Sequence, residues 1–387
     1  MNKINENGLL LEFNEKKVIG ERIKQARTYR GKTQAQLAQE LGITKQAISK
    51  YETNKSKLST TVISKLPKIL GFPLSFFTKE YIDEAKDRSI IYFRTKEIPK
   101  KTKDELNEKI IILDEEIIPY FEKHINFPKI NLPDALIPDS INYCDYSRDD
   151  IKQIALQIRE HWKLSVSPID NLAYIIQKNG YIINKQYINQ NKTDGFSQII
   201  NDRAYILISA NKECAVRSRF DLAHELGHLI LHKNVEEEEQ GSAYIERQAD
   251  YFASEFIYPS DVFIEEIQEL PLNFETFVML KEKWKISIQA IVRKCKDLEI
   301  ISDDKYIYFQ KRISYNKWRS KEPLDDYIVP EEPRLLKDAL ELLIENERIT
   351  KKDVLMDIDL DKDEIIKLCN LPDDYFEDSL QNVIKLY

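Results

Sequence analysis

Arg217-Ser218-Arg219-Phe220-Asp221-Leu222-Ala223-His224-Glu225-Leu226-Gly227-His228-Leu229-Ile230-Leu231-His232 is the stretch from which the rest of the chain can be read. Its apolar residues recur at three- and four-residue spacing, which predicts a helix starting near Cys214. Inside it, His224-Glu225-Leu226-Gly227-His228 spells HExxH. Residues four apart on a helix differ by about 40° in direction, so both imidazoles share one face and can grip one zinc ion, with Glu225 alongside. Three of the chain's five histidines fall within these nine positions. His232 lies about 12 Å along the axis from His224 at 1.5 Å per residue. It reads as a partner near the helix C-terminus, where a histidine is favoured, and not as a ligand.

A zinc hydrolase takes a third protein ligand and leaves the fourth position to water. About twenty residues downstream, Glu246-Arg247-Gln248-Ala249-Asp250 places two carboxylates at i and i+4 on one face of another helix. This ExxxD pattern resembles the thermolysin-like zinc peptidases. The resemblance implies Glu246 as the third ligand and Asp250 as the acceptor of the remaining N–H of His224 or His228. FDLAHELGHLILH followed by IERQADYFASEFIYP, after a helical segment and a strand pair containing DGFSQII, resembles the ImmA/IrrE metallopeptidase family over roughly residues 148–298. Gln248 departs from that family, in which a second acidic residue is common there, and this favours Glu246 as the ligand.

The resemblance implies a zincin-like α+β domain with Zn2+ as cofactor. It also implies a metallo-endopeptidase in which Glu225 is the general base, passing a proton from water to the leaving amine without a covalent intermediate. The substrate class it implies is a repressor or similar regulatory protein cut at a specific site. A second electrophile for the oxyanion is expected, and Tyr244, Tyr251 and Tyr258 all remain open for it.

The other informative stretch is Thr33-Gln34-Ala35-Gln36-Leu37-Ala38-Gln39-Glu40-Leu41-Gly42-Ile43-Thr44-Lys45-Gln46-Ala47-Ile48-Ser49-Lys50-Tyr51-Glu52. It predicts two short helices turning at Gly42, which can take a left-handed conformation. Ala38 is small where the helices must approach, and Leu37, Leu41, Ile43 and Ile48 can form the shared core. With Arg22 and the TQxxLAxxxGIxxxxISxYE spacing, residues 18–75 resemble the XRE/Cro-like repressor family. In such folds the second helix enters the major groove of a double-stranded DNA operator. That places Thr44, Lys45, Gln46, Ser49 and Lys50 toward the DNA, with Gln34 and neighbouring amides on a phosphate.

Charge supports this division. The chain is 387 residues long with net charge −8, but residues 18–75 carry +8 and residues 325–387 carry −10. A basic head on an acidic body suits a polyanion or an acidic partner. The nine glycines are never closer than eleven residues apart, which excludes dinucleotide, phosphate-loop and nucleophile-elbow motifs. Cys144, Cys214, Cys295 and Cys369 are far apart, without a CxxC pair, and read as inert buried thiols. With no signal-like segment and no run of 18 apolar residues, the expectation is a cytoplasmic protein that does not engage a membrane.

The fold expected is mainly α with a small β-sheet. Its parts are an all-α helix-turn-helix domain (18–75), a helical connector and proline-rich linker (76–147), an α+β peptidase domain (148–298) and an acidic helical segment (299–387). Residues 88–93 read as a strand and 101–124 as one long charged helix. Glu236–Glu239 read as a solvated loop. The acidic alternation Asp357, Asp359, Asp361, Asp363 and Glu364 lacks the glycine a calcium loop needs.

Joined, the two resemblances suggest a fused regulator–peptidase of bacteria and their mobile elements, with a possible homodimer. The competing reading is a repressor or antitoxin whose peptidase fold serves as a sensor or interaction module. A repressor gene next door points to a substrate, and a small toxin gene to an antitoxin.

Overall fold

The computed structural model describes residues 17–81, 91–93 (backbone only), 99–133, 136, 146–188, 194–200, 202–211, 214–232 and 242–377. Glu236–Glu239, Cys144 and residues 88–90 of the expected strand lie outside them. The chain forms two compact units. Among the described residues, a head unit gathers 17–81, 99–126 and 336–377, and a sheet unit gathers 91–93 and those between 127 and 335.

In the head unit, α1 (Gly20–Tyr29), α2 (Gln34–Leu41), α3 (Lys45–Glu52), α4 (Thr60–Leu70) and α5 (Leu74–Thr78) succeed one another. A capping box, in which Thr33 and Gln36 each satisfy the other's backbone N–H, starts α2. Gly42 ends it at φ 71°, a left-handed value that favours glycine. Thr44 then caps α3 by accepting from Ala47 N. Leu37, Ala38, Leu41 and Ile48 are buried together with Ile23, Leu66 and Phe72.

The expected single helix over 101–124 is α6 (Lys100–Ile112), a π turn (Leu113–Ile117) and α7 (Ile118–Glu122). Pro119 explains the break: it has no N–H for the carbonyl four residues back, and its ring crowds that turn.

The sheet unit has strands β1 (Ile91–Phe93), β2 (Tyr181–Gln186), β3 (Gly195–Ile200) and β4 (Arg203–Ser209), in the order β1-β3-β4-β2. β2 runs parallel to β4, whereas β3 is antiparallel to both β4 and β1. Its helices are α8 (Arg148–His161), α9 (Leu172–Lys178), α10 (Ala215–Leu231), α11 (Ala243–Ile257), α12 (Ser260–Gln268), α13 (Phe274–Trp284), α14 (Ile288–Asp297) and α15 (Asp303–Tyr315). Helix α10 packs on β3, β4 and α11, and α11 also packs on α8.

The head unit is completed by α16 (Leu335–Glu345), α17 (Lys351–Asp357) and α18 (Lys362–Cys369). The segments marked out in the sequence therefore divide. The connector 76–147 contributes to both units, and the acidic segment 299–387 splits near residue 335. Burial is the reason. Phe309 and Ile313 of α15 enter the sheet-unit core, whereas Leu336, Leu340, Ile365 and Leu368 hide their apolar side chains in the head unit.

Glu364 secures that arrangement, accepting from the Tyr29 hydroxyl and, at 2.5 Å, from Arg30 Nη1. Cys295 and Cys369 are buried free thiols and Cys214 is half-buried. Burial pushes the Cys295 thiol up to about 12, which keeps it protonated and unreactive.

Candidate metal centre and nucleic-acid interface

The metal-binding geometry begins with the close approach of two helices. A Cβ on Gly227 would lie 2.9 Å from the Phe252 ring and 3.4 Å from Ala249 Cα, so only glycine lets α11 come this near to α10. That proximity brings Glu246 and Asp250 of α11 to the histidines of α10. His224 Nε2 and His228 Nε2 are 3.0 Å apart. The Glu246 carboxylate reaches both, Oε2 at 3.2 Å from His224 Nε2 and Oε1 at 3.5 Å from His228 Nε2.

One ligand atom from each of these three residues lies within 4.8 Å of the others. Zinc takes nitrogen and oxygen at about 2.0–2.2 Å, so two nitrogens this close can share one ion. Glu246 Oε1 is buried and has no hydrogen-bond partner. A buried carboxylate oxygen left in that state is costly, and a cation among the three residues would satisfy it. The donor set therefore fits a divalent metal.

Asp250 Oδ1 lies 2.8 Å from His224 Nδ1, so of the two imidazoles it is His224 whose far nitrogen meets this carboxylate. Burial disfavours the His224 cation, but the hydrogen bonds it donates to Asp250 and Glu246 outweigh that and raise the group to about 9. His232 is fully buried at the end of α10, 2.9 Å from His228 through the two Nδ1 atoms. Burial pushes it down to about 4.

Glu225, also buried, accepts from Ser197 Oγ at 2.8 Å. The alternation of β3 accounts for this contact: Gly195 and Ser197 share one face, and a Cβ on Gly195 would come within 3.3 Å of the Glu225 side chain. Sequence reasoning missed Ser197, although the two-residue period of DGFSQII held the signal.

Of the three tyrosines considered for the oxyanion, Tyr258 is spoken for. It is buried, donates to Glu266 at 2.8 Å and stacks on Trp284. Tyr251 lies beneath the Arg148 guanidinium. Tyr244 is exposed, and with Tyr251, Arg148, Arg247 and Asp250 it lines a cavity of about 800 Å³.

In the head unit, Thr44, Lys45, Gln46, Ser49 and Lys50 are all exposed around the start and outer side of α3. Gln34 is half-buried and its Nε2 donates to Glu52 at 2.7 Å. Glu52 also pairs with Arg27 at 2.5 Å. These contacts, gathered on the buried Glu52, tie α1, α2 and α3 together and hold Gln34 at the first turn of α2.

Residues 177–296 match the peptidase M78 family model, described as the IrrE N-terminal-like domain, and residues 23–77 match a helix-turn-helix model. Among curated proteins, the chain is 40% identical over 62 residues to the SPbeta prophage-derived uncharacterized HTH-type transcriptional regulator YonR of Bacillus subtilis (strain 168), covering 16% of this chain and 57% of that one. It is 37% identical over 62 residues to uncharacterized HTH-type transcriptional regulators of Sinorhizobium medicae and Rhizobium meliloti, covering 16% of this chain and 45% of each. The chain thus spans about half the length of the curated relatives it matches. Among solved structures, Bacillus thuringiensis PlcR in complex with the peptide PapR7 and DNA aligns at 14% identity over 94% of this chain and 95% of that one, with a TM-score of 0.15.

The chain therefore joins an XRE-type helix-turn-helix domain to an ImmA/IrrE-type peptidase domain, in a mainly α fold with one small sheet. Among the described residues, no helix is long and apolar enough to cross a membrane.

Proposed function

We propose that this chain is a DNA-binding transcriptional regulator whose M78 domain is a zinc-dependent endopeptidase acting at a specific site in a regulatory partner protein. The observation that carries the reading is the convergence of His224, His228 and Glu246 around the orphaned Glu246 Oε1, with the non-ligand Glu225 beside them. Two imidazoles and one carboxylate would hold the zinc. When bound, it would supply Lewis acidity to the scissile carbonyl and to the attacking water.

The remaining work falls to the chain's own groups. Glu225 takes a proton from the water as its oxygen attacks the carbonyl carbon. It returns that proton to the amide nitrogen as the C–N bond breaks. Ser197 donates to Glu225 Oε2 and so favours the ionised carboxylate that a base requires. Asp250 accepts from His224 Nδ1 and leaves Nε2 bare for the metal.

For the head, Lys45, Gln46, Ser49 and Lys50 would meet base edges, and Thr44 and Gln34 would lie at the phosphates. Lys45→Ala with Gln46→Ala is expected to lose about 1–3 kcal/mol of base discrimination per contact, relaxing sequence preference while phosphate-driven binding persists. Selection of bound duplexes from a random pool by the full chain, followed by titration at several salt concentrations, measures both. A wild type that enriches no sequence at moderate salt removes the operator-binding role.

A further inference from the structure

Helix α10 carries a third histidine that the proposed hydrolysis leaves unused. His232 is fully buried, with Nδ1 2.9 Å from His228 Nδ1 and Nε2 3.0 Å from Gln248 Oε1. Gln248 is buried as well, and its Nε2 points to the Tyr146 carbonyl at 3.4 Å. This run of contacts has a direction. Two ring nitrogens facing each other can share only one proton, so one donates and the other accepts.

His228 Nε2 faces His224 Nε2 and Glu246, and a nitrogen that is to hold a cation cannot carry a proton. The His228 proton is therefore on Nδ1, and His232 Nδ1 accepts it. His232 must then carry its own proton on Nε2, which donates to Gln248 Oε1. The amide oxygen can only accept, and the amide's other end is directed to the Tyr146 carbonyl. Both His232 nitrogens are engaged, one by the far nitrogen of His228 and the other by Gln248, so it is not a ligand.

We propose that His232 and Gln248 are positioning residues of the metal centre, a neutral relay that fixes the tautomer and ring orientation of His228 as Asp250 does for His224. The proposal rests on the zinc-peptidase reading. It gives a role to Gln248: an uncharged acceptor suits a relay in which each member passes on one proton and none carries net charge. The two metal-facing histidines are then held by different chemistry, one by a partly exposed carboxylate and the other by a buried imidazole and amide.

The test uses the full chain labelled with 15N-histidine. With five histidines, two-bond proton–nitrogen correlations can separate each ring and report which nitrogen is protonated. In the zinc-loaded wild type, His228 is expected to be protonated on Nδ1, and His232 on Nε2 alone. In parallel, zinc affinity is measured by competition with a chromophoric chelator. His232→Phe keeps most of the ring volume but has neither nitrogen, and is expected to bind zinc about 10–100-fold more weakly. Gln248→Ala is expected to bind more weakly by a smaller factor and to let His232 sample both tautomers.

Wild-type zinc affinity in His232→Phe overturns the proposal, and so does a His232 proton on Nδ1 in the zinc-loaded chain. If His232→Phe does not fold, the wild-type tautomers and Gln248→Ala still decide the matter. Failure of the wild type to bind zinc would instead remove the peptidase reading itself, a different and recognisable result.

Discussion

Replacing Glu225 with glutamine is expected to lower peptide-bond hydrolysis by about 10²–10⁴-fold, the usual contribution of a positioned general base, with zinc content unchanged. The two consequences separate because Glu225 is not among the converging ligand groups, which are His224, His228 and Glu246. Glutamine has nearly the same shape and can still accept from Ser197, so the local packing against Gly195 survives. What it cannot do is take a proton at neutral pH. Co-expressing the wild type and Glu225→Gln with adjacent gene products, and following the intact mass of each partner alongside bound zinc, measures both effects. Equal outcomes for the two forms, with zinc bound in each, would leave a sensor or antitoxin role in place of proteolysis.

The second large effect is on stability. Glu364→Ala is expected to destabilise the head unit by about 2–3 kcal/mol. Removing one member of a buried pair costs about 3–5 kcal/mol. The figure is reduced here because the Arg30 side chain is 23% exposed and Arg30 keeps its bonds to the Leu70 and Gly71 carbonyls. Tyr29 has no such relief: its buried hydroxyl loses its acceptor.

The pH dependence has a definite sign. Burial opposes ionisation of Glu364, but Arg30 and the Tyr29 hydrogen bond prevail and hold the carboxyl below its ordinary value. Its contribution is therefore complete above the unfolded carboxylate range, about pH 4.3. It is lost as pH falls through the lower folded value. All three tryptophans, Trp162, Trp284 and Trp318, belong to the sheet unit, so their fluorescence does not follow the head. Hydrogen exchange at the α1 amides does. Unchanged α1 exchange in Glu364→Ala at neutral pH would show that the contact contributes little.

Local chemistry was the legible part. The i, i+4 pairs His224/His228 and Glu246/Asp250 are helix-face statements, and Gly42 between two capped helices is a turn statement. Each needs only a few consecutive residues. Pro119 is a readable signal for the interrupted helix, set in a charged stretch that otherwise suits one long helix. Less accessible were features created by packing. Which imidazole meets Asp250, where His232 directs its nitrogens and how Ser197 reaches Glu225 all depend on the distance between α10, α11 and β3. The split of the acidic segment depends on which apolar face finds cover, and periodicity shows that a face exists without showing what it packs against.

Tyr29 and Arg30 find their acceptor more than 330 residues later in the chain. During synthesis at about 5–20 residues per second, the ribosome needs tens of seconds to pass from one to the other. The sheet unit from Phe127 to Leu335 is made entirely in that interval. Vectorial synthesis thus gives the sheet unit its full sequence before the head unit has all of its helices. A chain terminated just after Leu335 holds residues 127–335, histidine cluster included, without the last helices of the head unit, so the order of synthesis is written into the order of the segments.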